Sequence, residues 1–222
     1  MDYSWLTAVL AVALVAAAAS IISEYRHLAL QRYLFKPLPV LLMLVVVISA
    51  TQVPPLIRAL FAGGLVASAV GDLLLIDRRR FVWGLLAFLV AHVCYIFGIW
   101  MELSQEPRVL YVLPLTLWGG VLFWILRKEL NELEFPVLIY IAVILVMIWL
   151  AIEALHQNPS TGAQLLVLGA VSFGLSDSIL AIDHFRRPFR VARLLVLVFY
   201  YAAQFGIAFS LVLRGPGPIG VG

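Results

Sequence analysis

Two aspartates carry the sharpest chemical signal in this chain. Asp72 and Asp177 each lie inside a long apolar run, about a turn from its end. A carboxylate placed within a membrane span costs roughly 2.5–3.5 kcal/mol on insertion scales, so it tends to face a cavity or a partner. Two such acids can divide a reaction between them, one donating a proton while the other stays ionised. Gly64, Ser68 and Asp72 share one helical face at spacing i, i+4, i+8, and Ser172 and Ser176 flank Asp177. Small polar faces of this kind suit close helix packing or a lined cavity.

Further polar groups come from separate apolar runs. His92 and Tyr95 share a face at i, i+3, and Tyr200 and Gln204 share one at i, i+4. Tyr140 lies early in another run, Ser176 precedes Asp177, and Lys36 opens the second run, where its long stem can snorkel. All map to one half of the membrane or to its midplane. The expectation is one polar cavity with the two acids and His92 at its heart. Each residue alone has a plainer reading. His92 and Gln204 bridge helices in that reading, Tyr95, Tyr201 and Ser178 pack, and Asp77 and Asp183 pair with Arg78 or Arg186.

The elements that must position these groups are helices in lipid. Of 222 residues 64% are hydrophobic and only 12% charged, against about half and about a quarter for an average soluble domain. A soluble fold of this length cannot hide so much apolar surface. Eight apolar runs, at about 3–22, 36–52, 55–76, 81–101, 109–126, 135–154, 162–182 and 191–213, are long enough to cross roughly 30 Å of hydrocarbon as helices. The fold class is therefore all-α, a single polytopic membrane domain over 1–214 with about eight transmembrane helices. The Gly- and Pro-rich residues 215–222 read as a disordered tail.

Charge sets the orientation. Of the 15 Lys and Arg residues, all but Arg58, Arg108 and Arg214 fall in the loops after the first, third, fifth and seventh runs. Those loops are expected in the cytoplasm, with both termini outside. Compact loops without a targeting signal point to a bacterial inner membrane. The net charge of +3 is spread over short loops and forms no patch for nucleic acid. The single cysteine, Cys94, excludes an internal disulfide.

A weak repeat links the acids. Gly71-Asp72 and Ser176-Asp177 both close a run ahead of a basic loop, and Lys36-Pro37 and Glu134-Phe135-Pro136 both open one. The pattern implies two four-helix halves in parallel orientation, set against the simpler view that every helical membrane protein alternates apolar runs with basic loops. No GxSxG elbow, HExxH or paired Cys/His cluster is present, so neither a metal nor a cofactor is expected. A site of Asp72, Asp177 and His92 on a metal would need three helices to converge, with no spacing to support it.

At these same residues the chain resembles the YhhN-like membrane proteins, which include the lysoplasmalogenases. The resemblance runs in order through Lys36-Pro37-Leu38-Pro39, Gly71-Asp72-Leu73-Leu74-Leu75, Phe81 to Gly84, Ala87-Phe88-Leu89 into His92 and Tyr95, Ser176-Asp177, and Tyr200-Tyr201-Ala202-Ala203-Gln204, covering about residues 34–210. It implies an eight-helix hydrolase that cleaves the vinyl ether bond of a lysophospholipid, releasing a fatty aldehyde and a glycerophosphoethanolamine or glycerophosphocholine. Asp72 and Asp177 would then be the catalytic pair. Lys36, His92, Tyr140, Ser176, Tyr200 and Gln204 would bind or orient substrate and water. The alternative reading is a proton-coupled transporter or lipid-binding protein, since intramembrane acids also serve as proton relays.

Overall fold

Proline, a positive-φ asparagine and two polar caps punctuate the apolar runs and cut them into helices. The computed structural model describes residues 4–26 and 29–213; the tail expected at 215–222 lies outside the described residues. The helices are α1 (Ser4–Tyr25), α2 (Ala29–Phe35), α3 (Leu38–Ser49), α4 (Pro55–Leu74), α5 (Phe81–Trp100), α6 (Val112–Leu130), α7 (Glu134–Gln157), α8 (Thr161–Ala181) and α9 (Ala192–Val212). There is no strand among the described residues.

Each boundary has a local cause. Pro54 is extended and Pro55 takes the first turn of α4, where its missing N–H costs nothing. Asp77 turns the chain into α5 by accepting a hydrogen bond from Arg79 N at 3.0 Å. Ser160 caps α8 through the Ala163 N–H at 3.1 Å. Asn131 sits at φ 47°, a conformation asparagine tolerates better than most residues, and there α6 ends before α7 begins. A π-helical turn, Ile182–Arg186, extends α8 toward the basic loop.

Two boundaries differ from the sequence expectation. The second run is not one helix over 36–52. Only Leu38–Ser49 of it is helical, as α3, and residues 29–35, expected as loop, form the separate helix α2; the break falls at Lys36-Pro37, because proline lacks the N–H that would continue the ladder. Alone, the 12-residue α3 would span only about 18 Å. The run Ala29–Ser49 together reaches 21 residues. In the fifth run Arg127 and Lys128 belong to the last turn of α6 rather than to a loop. Cations are favourable there, beside the helix's unsatisfied carbonyls.

Among the described residues seven stretches are long and apolar enough to cross a membrane. One of them, Val109–Gln157, contains both α6 and α7, which fold back on each other. Leu126 and Leu130 pack with Val137 and Ile141 near the bend, Gly119 abuts Leu145 further along, and Trp149 Nε1 donates to Arg108 O at 2.8 Å at the open end. The described chain thus runs as eight long helical legs, as the hydropathy pattern predicts.

The packing repeats with a shift of four legs. Two tight hairpins, α4 with α5 and α8 with α9, form the centre. Against them α3 packs on α4 and α9, and α7 packs on α8 and α5. The outermost helices follow the same rule, α1 on α3 and α6 on α7. This is the neighbour pattern of two similar halves with α2 as the odd piece, and it places Asp72 and Asp177 in corresponding positions near the ends of α4 and α8.

Candidate active site

Close helix approach is what brings the polar groups together. Gly64 leaves the space that the Tyr95 ring fills between α4 and α5. In the other hairpin a Cβ on Gly206 would meet Leu165 O at 2.8 Å and Gly169 Cα at 3.0 Å, so α8 and α9 touch backbone to backbone. Side chains of ordinary length then reach across from one hairpin to the other.

Asp72 is 1% exposed, and the Tyr200 hydroxyl of α9 donates to its Oδ2 at 2.7 Å. Asp177 is 7% exposed, and the Tyr140 hydroxyl of α7 donates to its Oδ2 at 2.7 Å. Each acid is thus held by one tyrosine from another helix, and among the described residues no hydrogen bond engages either Oδ1. Asp177 has a second neighbour, His92 Nε2 of α5, at 3.7 Å from the same Oδ2. His92 is wholly buried. Its Nδ1 lies 2.6 Å from the Phe88 carbonyl, and a carbonyl only accepts. Nδ1 therefore carries a proton. Nε2, facing Asp177, has no hydrogen-bond partner among the described residues.

Both aspartates line one cavity of about 280 Å3, together with Lys36, Ser176 and Tyr200. Leu75, Phe81, Phe88, Leu180, Val196 and Leu197 supply apolar wall, and Glu24, Arg32, Arg78, Asp183, His184 and Arg193 stand around it. Glu24 pairs with Arg193 at 3.2 Å and with Arg32 at 3.8 Å, which holds α1, α2 and α9 together at that end. The His184 ring stacks on Phe81 with centroids 3.5 Å apart. The arrangement offers two carboxyls in a mostly apolar pocket beneath a ring of mixed charge. It suits an amphiphile, with a charged part at the edge and an apolar part within.

Five of the expected orienting residues stand at this site. Lys36, Ser176 and Tyr200 line the cavity, and His92 and Tyr140 touch Asp177 from behind it. Ser176 Oγ donates to Val196 O at 3.1 Å, tying α8 to α9. Gln204 is elsewhere. It is buried about a turn beyond Tyr200, where its Oε1 accepts from the Tyr95 hydroxyl at 3.1 Å, so it bridges α9 to α5. Tyr201 packs as expected, donating to Ser20 Oγ at 2.7 Å and approaching the Lys36 carbonyl at 3.1 Å. The expected pairing of Asp77 and Asp183 with Arg78 or Arg186 does not form: Asp77 lies 3.7 Å from Arg80 and Asp183 accepts from Phe189 N. The local turns offer backbone N–H groups that are nearer than those guanidinium groups.

Sequence reasoning missed Glu24. It also missed the whole contribution of α1, whose buried Ser20 and Ser23 lie on the face that ends at Glu24. That run of polar residues at i, i+3 and i+4 was the available signal. Glu153 was missed too. It is fully buried in α7, far along the helix from the acids, and accepts from Arg108 N at 2.9 Å. It fastens a loop.

Comparison with known proteins agrees with the geometry. A family model described as the YhhN family matches residues 31–211. A protein named uncharacterized membrane protein YhhN from Escherichia coli O157:H7 is 34% identical over 199 residues, covering 87% of this chain and 93% of its own. Lysoplasmalogenase TMEM86B from Homo sapiens is 37% identical over 159 residues, 72% of this chain and 66% of its own. The Sus scrofa protein of the same name is 35% identical over 179 residues, 80% and 74% of the two chains. No solved structure matches the chain. With a family model spanning most of its length and these relatives on either side of it, the chain belongs to the YhhN family.

Proposed function

We propose that this membrane protein is a lysoplasmalogenase-like hydrolase that cleaves the vinyl ether bond of a lysophospholipid, with Asp72 and Asp177 as its acid–base pair. One observation carries the reading: two buried carboxyls, each tied by a tyrosine, face one cavity that is apolar within and charged at its edge. Relatives named lysoplasmalogenase support the substrate class.

The chemistry follows from the bond. A protonated carboxyl transfers its proton to the β-carbon of the vinyl ether, and the double-bond electrons form the new C–H bond. The resulting oxocarbenium ion is stabilised by the second carboxyl in its ionised form. Water adds to the α-carbon and gives up a proton to a carboxylate, restoring the pair. The hemiacetal then collapses. Its hydroxyl proton leaves, the C–O bond to glycerol breaks, and the glycerol oxygen is protonated, which yields aldehyde and glycerophospholipid head. Tyr140 and Tyr200 hold the carboxyls in place, and Lys36 with the nearby arginines holds the phosphate. With the basic loops in the cytoplasm, the head group enters from that side.

The test is direct. Purified protein in detergent, given lysoplasmalogen, should release fatty aldehyde. Asp72→Asn and Asp177→Asn should each lower turnover by at least about a hundredfold, the scale of general acid–base catalysis, and leave the thermal unfolding profile close to that of the parent. Detergent removes compartments, so a carrier would produce no aldehyde. Full activity in Asp72→Asn would end the two-aspartate mechanism.

A further inference from the structure

We infer that the hydrocarbon chain of the substrate leaves the catalytic cavity through an apolar slot beside Asp177, which makes Asp177 the proton donor and Asp72 the carboxylate that acts on cation and water. This rests on the vinyl ether reading above and assigns the two roles which that reading leaves symmetric.

Two cavities share Asp177 in their walls. The larger holds both acids and the charged edge. The second, about 30 Å3, lies among α5, α6, α7 and α8, and its wall is almost wholly apolar, with Leu85, Leu122, Ile141 and Ala181 in it. Phe81 and Asp177 belong to both cavities, whereas Asp72 lines the larger one only. At the volume of about two or three water-sized groups, the slot takes the first carbons of a chain, and on the proposed path the rest continues past α6 toward lipid. A single-chain lipid with its phosphate at the charged edge and its chain in this slot lies along a line through Asp177.

The order of atoms in the substrate then decides the roles. From head to tail the reacting atoms are glycerol oxygen, α-carbon, β-carbon, chain. The proton must reach the β-carbon, the atom nearer the chain, and water must reach the α-carbon, nearer the head. Asp177 stands at the chain side and Asp72 at the head side. The surroundings of Asp177 agree independently. His92 donates through Nδ1 to Phe88 and turns an unpartnered Nε2 toward Asp177 Oδ2. In the neutral ring that nitrogen presents a lone pair, so the contact closes only around a proton held by the pair.

Filling the slot tests the path. Ala181→Trp on α8 and Leu85→Trp on α5 are independent variants, so either alone serves if the other does not fold. Each should lower the ratio of kcat/KM for a hexadecenyl over a butenyl vinyl ether lipid by at least about tenfold, equivalent to withdrawing about two buried methylenes. An unchanged ratio in a folded variant overturns the path. Exchange tests the roles. In deuterium oxide, unhydrolysed substrate recovered from Asp72→Asn should carry deuterium at the β-carbon, because protonation reverses when water addition slows. Substrate recovered from Asp177→Asn should carry none. Exchange with Asp177→Asn, or none with Asp72→Asn, overturns the assignment. If the parent protein releases no aldehyde from either lipid, it is the vinyl ether reading that fails.

Discussion

The two tyrosine–aspartate contacts separate residues that make the site from residues that merely share its helices. Each is a 2.7 Å bond from a buried hydroxyl to a carboxyl oxygen. Hydrogen bonds to charged groups contribute about 1.5–3 kcal/mol, and here they also aim the acid. Tyr140→Phe and Tyr200→Phe should therefore lower kcat by about ten- to a hundredfold with a smaller change in KM, measured by aldehyde release at saturating lipid. Gln204 provides the contrast. It stands away from the cavity and bonds Tyr95, so Gln204→Leu should lower the unfolding temperature while kcat stays within a few-fold of the parent. A large selective loss of kcat there would return Gln204 to the site.

At the scale of elements, the α8–α9 hairpin is the part least able to yield. It carries Asp177 on one helix and Tyr200 on the other, and at Gly206 its helices meet through backbone atoms, which cannot rotate aside. Gly206→Ala should force the pair apart and destabilise the protein by about 1–3 kcal/mol, the usual cost of overpacking, with activity falling alongside. Gly120 faces nothing within 4 Å, and Gly120→Ala should hold or raise stability, since alanine is the better helix former by about 1 kcal/mol. Thermal unfolding of both variants in one detergent checks the difference. The break between α2 and α3 belongs to this scale as well. Arg32 on α2 and Lys36 at the break both stand at the cavity edge.

Across the whole molecule, polarity is the organising feature. The cavity, the Glu24 ion pairs and the Arg78–Arg80 and Ile182–Arg186 segments gather at one end. The opposite end is fastened by side chains bonded to loop backbone, Gln157 with Ser104 and Gln105 and Glu153 with Arg108. If the basic end faces the cytoplasm, a Cys94→Ser background allows a clean test. A membrane-impermeant maleimide on intact cells should label Gln105→Cys, whereas Lys128→Cys should react only after lysis. The reverse pattern would turn the molecule over and move lipid entry to the outer leaflet. The repeated packing adds a point about origin of the chemistry. Two similar halves supply two corresponding acids, each bonded by a tyrosine, and their surroundings differ in the histidine that α5 brings to Asp177.

What the sequence by itself determined was solvent, element and cost. Sixty-four per cent apolar residues demanded lipid, the run lengths set the helical legs, and Asp72 and Asp177 stood out because a carboxylate in hydrocarbon needs a reason. Local signals reach that far because hydropathy, proline and helical spacing act within a few turns. Only the tertiary structure decided that both acids line one cavity, that Tyr140 and Tyr200 hold them, that Glu24 of α1 joins the edge, and that Gln204 does not. Those facts depend on contacts between helices distant in the chain, 37 residues for Tyr140 with Asp177 and more than a hundred for Tyr200 with Asp72 and Tyr95 with Gln204, and they are set by glycines that let particular helices approach. A helix's periodicity shows which face is polar. Which neighbour meets that face is settled by packing.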